Sequence, residues 1–264
     1  MNLDLTIVSV NKNNFSALIN TLNSIRDLNF NEKISHLIVD GNSRDLVEDF
    51  NQLKDRYNFD FISEDDTGIY NAMNKGISLS KGNHILFLNS GDTIINPIYF
   101  NHLLSECSEI DIVYSNINKL FLDGDKSVEC RFPENLSLDY MICYGLPHQA
   151  TIINKALFNQ VGFYNENYKI ISDWVFFMES LFFHNATYKY VDVTAINFDT
   201  SGISNQTKFL RTIIIEQLDY ISKRFPTKVS FYKDNSPYVK KYFRTMPRWK
   251  KYFLKSIFMN FNIL

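Results

Sequence analysis

The sequence predicts an α/β fold: a Rossmann-like, mostly parallel sheet flanked by helices, with a basic helical C-terminal extension. Three observations predict it. Short, β-branched apolar runs alternate with stretches of helical periodicity up to residue 88. Four of those runs end on polar or acidic residues, at Asn11, Asp40, Glu64-Asp65-Asp66 and Asp92. Charge divides unevenly: residues 1–221 hold 16 Lys and Arg against 28 Asp and Glu, whereas residues 222–264 hold 11 against 1.

The elements follow in order. Leu5–Val10 reads as a buried strand. After the polar break Asn11-Lys12-Asn13-Asn14, the residues Phe15, Leu18, Ile19, Leu22, Ile25 and Leu28 recur at helical spacing. His36–Val39 is a second strand, residues 44–57 a helix, Phe59–Ser63 a third strand, 69–80 a helix and His84–Leu88 a fourth strand. Beyond it, Ile110–Ser115 and 187–193 read as strands and 154–161 and 173–184 as helices. Asp123-Gly124 is a turn between two β-prone stretches. Residues 208–224 form an amphipathic helix with Ile213, Ile214, Leu218 and Ile221 on one side. The remaining tail interleaves Lys and Arg with aromatics, as in Lys240–Arg244 and Arg248–Phe253, with breaks at Pro237 and Pro247.

Composition narrows the class. With 45% apolar and 21% charged residues in 264, a large core is expected and wholesale disorder excluded. A formal charge of −2 argues against a nucleic-acid binder. Three cysteines without a CxxC exclude a disulfide scaffold or zinc knot and suit a reducing compartment. The N-terminus lacks the regions of a signal peptide, and no apolar run is long enough to span a bilayer. A cytoplasmic protein is expected. No GxGxxG, P-loop, GxSxG or HExxH occurs. What remains is a row of acids at strand ends, where ligands of such sheets bind. Carboxylates meet phosphates through a shared divalent cation, so the row suggests a metal–nucleotide site.

Five segments, in order, resemble the inverting glycosyltransferases of family 2, which have the GT-A fold. Leu5–Val10 with Asn11 resembles the first strand and its nucleotide-contacting turn. Ile38-Val39-Asp40-Gly41-Asn42-Ser43-Arg44-Asp45 is similar to "VDDGSTD", and Ser63–Gly76 to the longer "SEPDxGIYDAMNKG". Leu86-Phe87-Leu88-Asn89-Ser90-Gly91-Asp92 resembles the acidic metal motif, and Ile171-Ser172-Asp173-Trp174 the segment of the catalytic base. The third segment is the most specific and is typical of enzymes assembling bacterial surface polysaccharides, colanic-acid and O-antigen transferases among them. The resemblance covers residues 3–203.

The resemblance implies roles. Val10, Asn11, Asp40, Asp66, Asn74, Lys75, Asn89 and Ser90 would bind the nucleotide sugar, with Asp40 reading the base and Lys75 neutralising diphosphate. Asp92 would hold Mn²⁺ or Mg²⁺. Asparagine and glycine at 89 and 91 stand where the family commonly has aspartates. Asp173 would be the general base, and His148, Gln149 and Trp174 would line the acceptor or sugar pocket. Phe198–Ser204 is similar to a late "GGVS" loop closing over the diphosphate. The implied division is a transferase domain over 1–205, with a nucleotide-sugar half (1–115) and an acceptor half (116–205), and an extension over 206–264. The expected reaction moves a hexose from a UDP-sugar, or secondarily a GDP-sugar, to a polyprenyl-diphosphate saccharide. Basic residues with aromatics over 223–256 suit the anionic cytoplasmic face of the inner membrane. Two other readings stay open: a non-catalytic nucleotide-sugar-binding paralogue and a sugar nucleotidyltransferase.

Overall fold

The computed structural model describes residues 4–26, 28, 34–121, 126–202 and 206–245. The chain divides into two compact units, Met1–Asn135 with Leu146–Thr200, and Leu136–Gly145 with Ser201–Leu264.

In the first unit β1 (Leu5–Asn11), β2 (Ile34–Asp40), β3 (Asp60–Ser63) and β4 (His84–Phe87) lie in the order β3-β2-β1-β4, all parallel. All seven residues of β1 are buried, as a strand covered on both faces requires. The crossovers carry α1 (Phe15–Arg26), α2 (Phe50–Tyr57) and α3 (Ile69–Leu79). Phe15, Leu18 and Leu22 of α1 pack with Ile38, Phe50, Leu53, Tyr57 and Phe59. The register sets Asn11 opposite Asp40 and Asp40 opposite Ser63. Three strands therefore end abreast, and their last side chains share one edge.

Helix α3 approaches β1 closely because residue 76 is glycine: a Cβ there would press into the Val8 side chain. Gly76→Ala would gain about 1 kcal/mol of helix propensity and lose about 1–3 kcal/mol to overpacking against a fully buried β-branched neighbour. A lower melting temperature is expected in a thermal scan.

Beyond β4 the sheet is mixed. β5 (Thr93–Ile94), α4 (Pro97–Ser105), β6 (Ile112–Leu120), β7 (Ser127–Cys130) and then α5 (Leu138–Cys143) of the second unit follow in the chain. They lead to β8 (Thr151–Asn154), α6 (Lys155–Val161), α7 (Ser172–Phe182) and β9 (Tyr188–Asp199). The strand order continues β4-β8-β6-β9-β5, with β7 on β6. β8 is antiparallel to β4 and β6, β9 parallel to β6, and β5 antiparallel to β9. The β6–β9 register shifts around Asn116, whose amide donates to Asp192 at 2.9 Å and accepts from Phe132 N and Tyr190 Oη.

Several boundaries differ from the sequence expectation. The helix expected from residue 44 starts at Phe50, with Asp49 capping it. Upstream, Ser43 N donates to Asp40 and Arg44 N to Asn13, so side chains claim the amides a helical turn would use. β6 and β9 run on to Leu120 and Asp199 because they pair with each other along that length. The expected turn at Asp123-Gly124 lies outside the described residues; the strands flanking it pair antiparallel.

The second unit holds α5, α8 (Leu210–Arg224), α9 (Val229–Asn235) and α10 (Pro237–Thr245). Ile213, Ile214 and Ile221 are buried as expected, Leu218 only partly, and Gln217 takes a buried place where Tyr232 Oη donates to it at 2.7 Å. Lys228 pairs with Asp139 at 2.6 Å. Pro237 opens α10 rather than interrupting a helix. Pro247 and the Arg248–Phe253 cluster lie outside the described residues.

Candidate active site

The edge where β1, β2 and β3 end carries a buried polar network. Asn11 is its centre. Its Nδ2 donates to Asp40 Oδ1 at 2.7 Å and to Ser43 Oγ at 3.2 Å, and its Oδ1 accepts from Ser90 Oγ at 2.9 Å. Ser90 N also donates to the Val10 carbonyl. Val10, Asn11, Asp40 and Ser90 are thus brought together. Asp40, 0% exposed, accepts from Asn11, from Ser43 N and Oγ, and from Ser63 Oγ at 2.6–2.9 Å. Four donors occupy its lone pairs. The carboxylate thereby ties the ends of β1, β2 and β3 together. At the rim, Lys12 Nζ meets Asp66 at 3.1 Å, and Asp66 occupies the space that a side chain at Gly41 would fill.

Asn74 and Lys75 on α3 have other partners than those expected. Asn74 donates to the Tyr164 carbonyl and to Glu166 Oε1 and accepts from Tyr164 N, all within 2.9–3.0 Å. Its amide ties α3 to the 164–166 segment. Lys75 Nζ pairs with Glu64 at 2.7 Å and the Asp65 carbonyl at 2.8 Å, beside the end of β3.

A second cluster forms where β4, β8 and α7 meet. Asp173 sits in the first turn of α7, where the helix dipole favours its charge. Its Oδ2 accepts from His148 Nδ1 at 2.9 Å and its Oδ1 from Tyr70 Oη at 2.8 Å. Burial alone would raise this carboxyl, but the His148 hydrogen bond and charge, with Tyr70 and the Trp174 backbone N–H, hold it below the usual carboxylate range. Burial likewise would lower His148, and Asp173 outweighs it, lifting the imidazole above 6.5. The pair is 17% and 18% exposed, so a hydroxyl can still reach the carboxylate.

His148 Nε2 faces Asn89 Nδ2 at 3.3 Å, and Asn89 Oδ1 is buried without a hydrogen-bond partner. When His148 is charged both ring nitrogens carry protons, and the Asn89 amide then meets it through Oδ1. Asn89 thus links the loop that follows β4 to His148. Gln149 and Trp174, which adjoin His148 and Asp173 in the chain, are buried, 6% and 7% exposed.

Asp92, 3% exposed, accepts from Asp199 N at 3.0 Å. Burial pushes its carboxyl up to about 7, against the opposing charge of His148. Gly91 has φ 103°, and a Cβ there would strike the Asp199 carboxylate. Glycine at 91 therefore admits a second acid beside Asp92. Thr21 of α1 fixes this loop, donating to the Asp92 carbonyl at 2.8 Å and accepting from Gly91 N. Among the described residues no group of three or more His, Cys, Asp or Glu forms a metal cage. The Asp92 and Asp199 carboxylates, oxygen donors side by side, are of the kind that would suit a Mn²⁺ or Mg²⁺ ion. Ile203 and Ser204 of the expected closing loop lie outside the described residues.

Sequence reasoning missed Tyr70, Thr21, Ser63, Asp199 and Glu166 as site residues. Tyr70 and Ser63 lie within the most specific motif and Asp199 within the late-loop segment, which were the available signals; Thr21 and Glu166 lie in no motif and meet residues distant in sequence.

Residues 6–180 match the family described as Glycosyl transferase family 2. A PGL/p-HBAD biosynthesis glycosyltransferase of Mycobacterium bovis is 27% identical over 145 residues, 53% of this chain and 54% of that protein. The match thus spans about half the length of that relative. An uncharacterized glycosyltransferase of Mycobacterium tuberculosis is 26% identical over 76% of both chains. Among solved structures, S. aureus TarS 1–349 in complex with UDP-GlcNAc superposes with a TM-score of 0.63 at 15% identity, covering 94% of this chain and 78% of that one. The mannosyltransferase PcManGT from Pyrobaculum calidifontis, in complex with GDP-Man and Mn²⁺, gives 0.63 at 8% identity, covering 97% and 79%. These likenesses identify the GT-A fold.

Proposed function

The chain belongs to glycosyl transferase family 2, and from that premise we propose that it moves a hexose, with inversion, from a nucleotide sugar to a lipid-linked saccharide in surface-polysaccharide assembly. One observation carries this reading: an ionised, hydrogen-bonded and still reachable carboxylate, Asp173, joined through His148 and Asn89 to the loop that bears Asp92. In the proposed reaction Asp173 takes the proton of the acceptor hydroxyl. The oxygen's electron pair forms the new bond to the anomeric carbon. The bond from that carbon to the diphosphate oxygen breaks on the opposite face, its pair departing with the nucleoside diphosphate, so configuration inverts.

Asp92 and Asp199 would hold Mn²⁺ or Mg²⁺, which when bound supplies positive charge to the leaving diphosphate. Asn11, Asp40, Ser43 and Ser90 shape the nucleoside wall. Lys12 and Asp66 stand at its rim, with Lys75 nearby as a point charge. A UDP-sugar is the first donor to test and a GDP-sugar the second; structural relatives hold one of each.

Residues 1–205 form the catalytic domain on this reading, with donor and acceptor halves meeting near 115, and residues 206–264 the extension. The 223–256 segment would rest on the anionic cytoplasmic face of the inner membrane. Exposed Lys240, Lys241 and Arg244 on α10 support this, and among the described residues no helix is long and apolar enough to cross a membrane. A relative named for PGL/p-HBAD biosynthesis is compatible with a lipid-borne acceptor.

The test pairs UDP- and GDP-sugars, each with Mn²⁺ or EDTA, with a short lipid-diphosphate saccharide and reads product by mass. A one-hexose gain with one donor is expected. Failure over a broad acceptor panel, with nucleotide binding intact, would favour the second reading, a binding-only paralogue, to which Asn89 and Gly91 point.

A further inference from the structure

Helix α3 carries a polar stripe that the substrate-binding account leaves unused. Thr67, just before the helix, and Tyr70, Asn71 and Asn74 fall at helical spacing on one face. Each of the four meets the segment that leads to Asp173. Glu166 Oε2 accepts from Thr67 and Asn71 at 3.3 and 3.1 Å, and Oε1 from Asn74 at 3.0 Å. Asn74 also makes paired bonds with the Tyr164 backbone. Tyr70 Oη lies 2.6 Å from the Ile170 carbonyl and 2.8 Å from Asp173 Oδ1, so its single proton serves both the turn before α7 and the carboxylate itself. The Tyr70 ring packs on Tyr164, centroids 5.6 Å apart.

We propose that this face of α3 positions the proton-accepting carboxylate, with Tyr70 holding Asp173 directly and Glu166 tying down the approach segment. The inference rests on the assignment of Asp173 as the base. The carboxylate is faced by His148, Tyr70 and Tyr164, and His148 in turn by Asp173 and Asp92. Among these, Tyr70 is a permanent donor: burial, and then the Asp173 charge, push its hydroxyl well above its ordinary value. A stripe of this kind explains why the "GIYNAMN" run is so specific. Its polar members Tyr70, Asn71 and Asn74 face the segment before Asp173, whereas Ala72 and Met73 are buried.

The test uses the full chain and three variants. Tyr70→Phe keeps the ring packing and removes only the hydroxyl; Glu166→Ala removes the clamp; Asp173→Asn is the reference. In protein labelled with ¹⁵N-histidine, the Nδ1–H proton of His148 reports the imidazole–carboxylate bond. It is assigned by its loss in His148→Gln. The resonance is expected to move in Tyr70→Phe and to disappear or shift far upfield in Asp173→Asn. Hydrogen exchange over residues 164–171 is expected to rise in Glu166→Ala. Once a donor and acceptor are in hand, Tyr70→Phe is expected to lower kcat about tenfold with the donor KM unchanged, less than the roughly 10²–10⁴-fold that loss of the base itself costs. A resonance unmoved in Tyr70→Phe, together with unchanged exchange in Glu166→Ala, overturns the positioning role. Transfer that survives in Asp173→Asn would instead overturn the base assignment, and the resonance would still decide whether Tyr70 holds the carboxylate.

Discussion

Asp173→Asn is expected to lower the transfer rate by about 10²–10⁴-fold, the usual worth of a positioned general base, with nucleotide-sugar affinity unchanged. The amide fills the same space, but its single oxygen can accept from only one of Tyr70 and His148, and it cannot take a proton. Single-turnover transfer alongside equilibrium nucleotide binding separates the two effects. The substitution also leaves His148 without its counter-charge, which gives a second signature in stability. The Asp173 carboxyl is held below 3.8, so its contribution is present above that value and lost as pH falls through the folded pKa. The His148 imidazole is held above 6.5, so its contribution is complete below 6.5 and lost as pH rises through the folded pKa. The two overlap between about 4 and 6.5. The difference in melting temperature between wild type and Asp173→Asn is expected to be greatest in that window and to shrink on either side.

Asp92→Asn is expected to show opposite effects on stability and activity. Burial raises the Asp92 carboxyl to about 7, so ionising it in the folded protein is unfavourable. The wild-type, metal-free protein therefore loses stability as pH climbs from about 4 to about 7, by a few kcal/mol in all, and the loss persists above 7. The amide carries no such cost, so at pH 8 without metal Asp92→Asn is expected to melt higher than wild type. Mn²⁺ is expected to stabilise wild type and leave the variant unmoved. Because the cation takes the ionised form, wild-type Mn²⁺ affinity is expected to rise about tenfold per pH unit below 7 and level off above it. Calorimetric titration at pH 6, 7 and 8 reads this directly. In transfer assays Asp92→Asn is expected to be deficient, with no response to added Mn²⁺. A variant that melted lower than wild type at pH 8 would contradict the burial argument.

Legibility in the sequence followed burial and span. The first four strands were readable because each is a compact apolar run closed by polar residues, and a two-sided strand leaves no other option. β5, with two residues, is too short to register against its surroundings, and β8 runs directly into α6 at Lys155, so no intervening loop marks its end. α4 was missed because Ile98 and Tyr99 break its amphipathic pattern by facing solvent. At the site, Asp40, Asp92 and Asp173 were found through motifs, but not their surroundings. Asp40 was singled out for its charge, and only the register shows that Asn11 and Ser63 stand beside it and donate hydrogen bonds to it. Tyr70 and Asp173 are 103 residues apart, and Asn89 and His148 are 59 apart. No local pattern encodes a contact of that length; it is set by β8 lying beside β4.

That adjacency also bears on motion. β8 is zipped to β4 at Ile85–Ile153 and Leu86–Ile152, inside one sheet that runs from β3 to β5. A backbone ladder at this seam offers no hinge between the strand that precedes Asn89 and the strand that follows His148. On the proposed function, the movement needed for substrates to enter and products to leave would fall to the loops at the strand ends, not to one part of the sheet swinging from another.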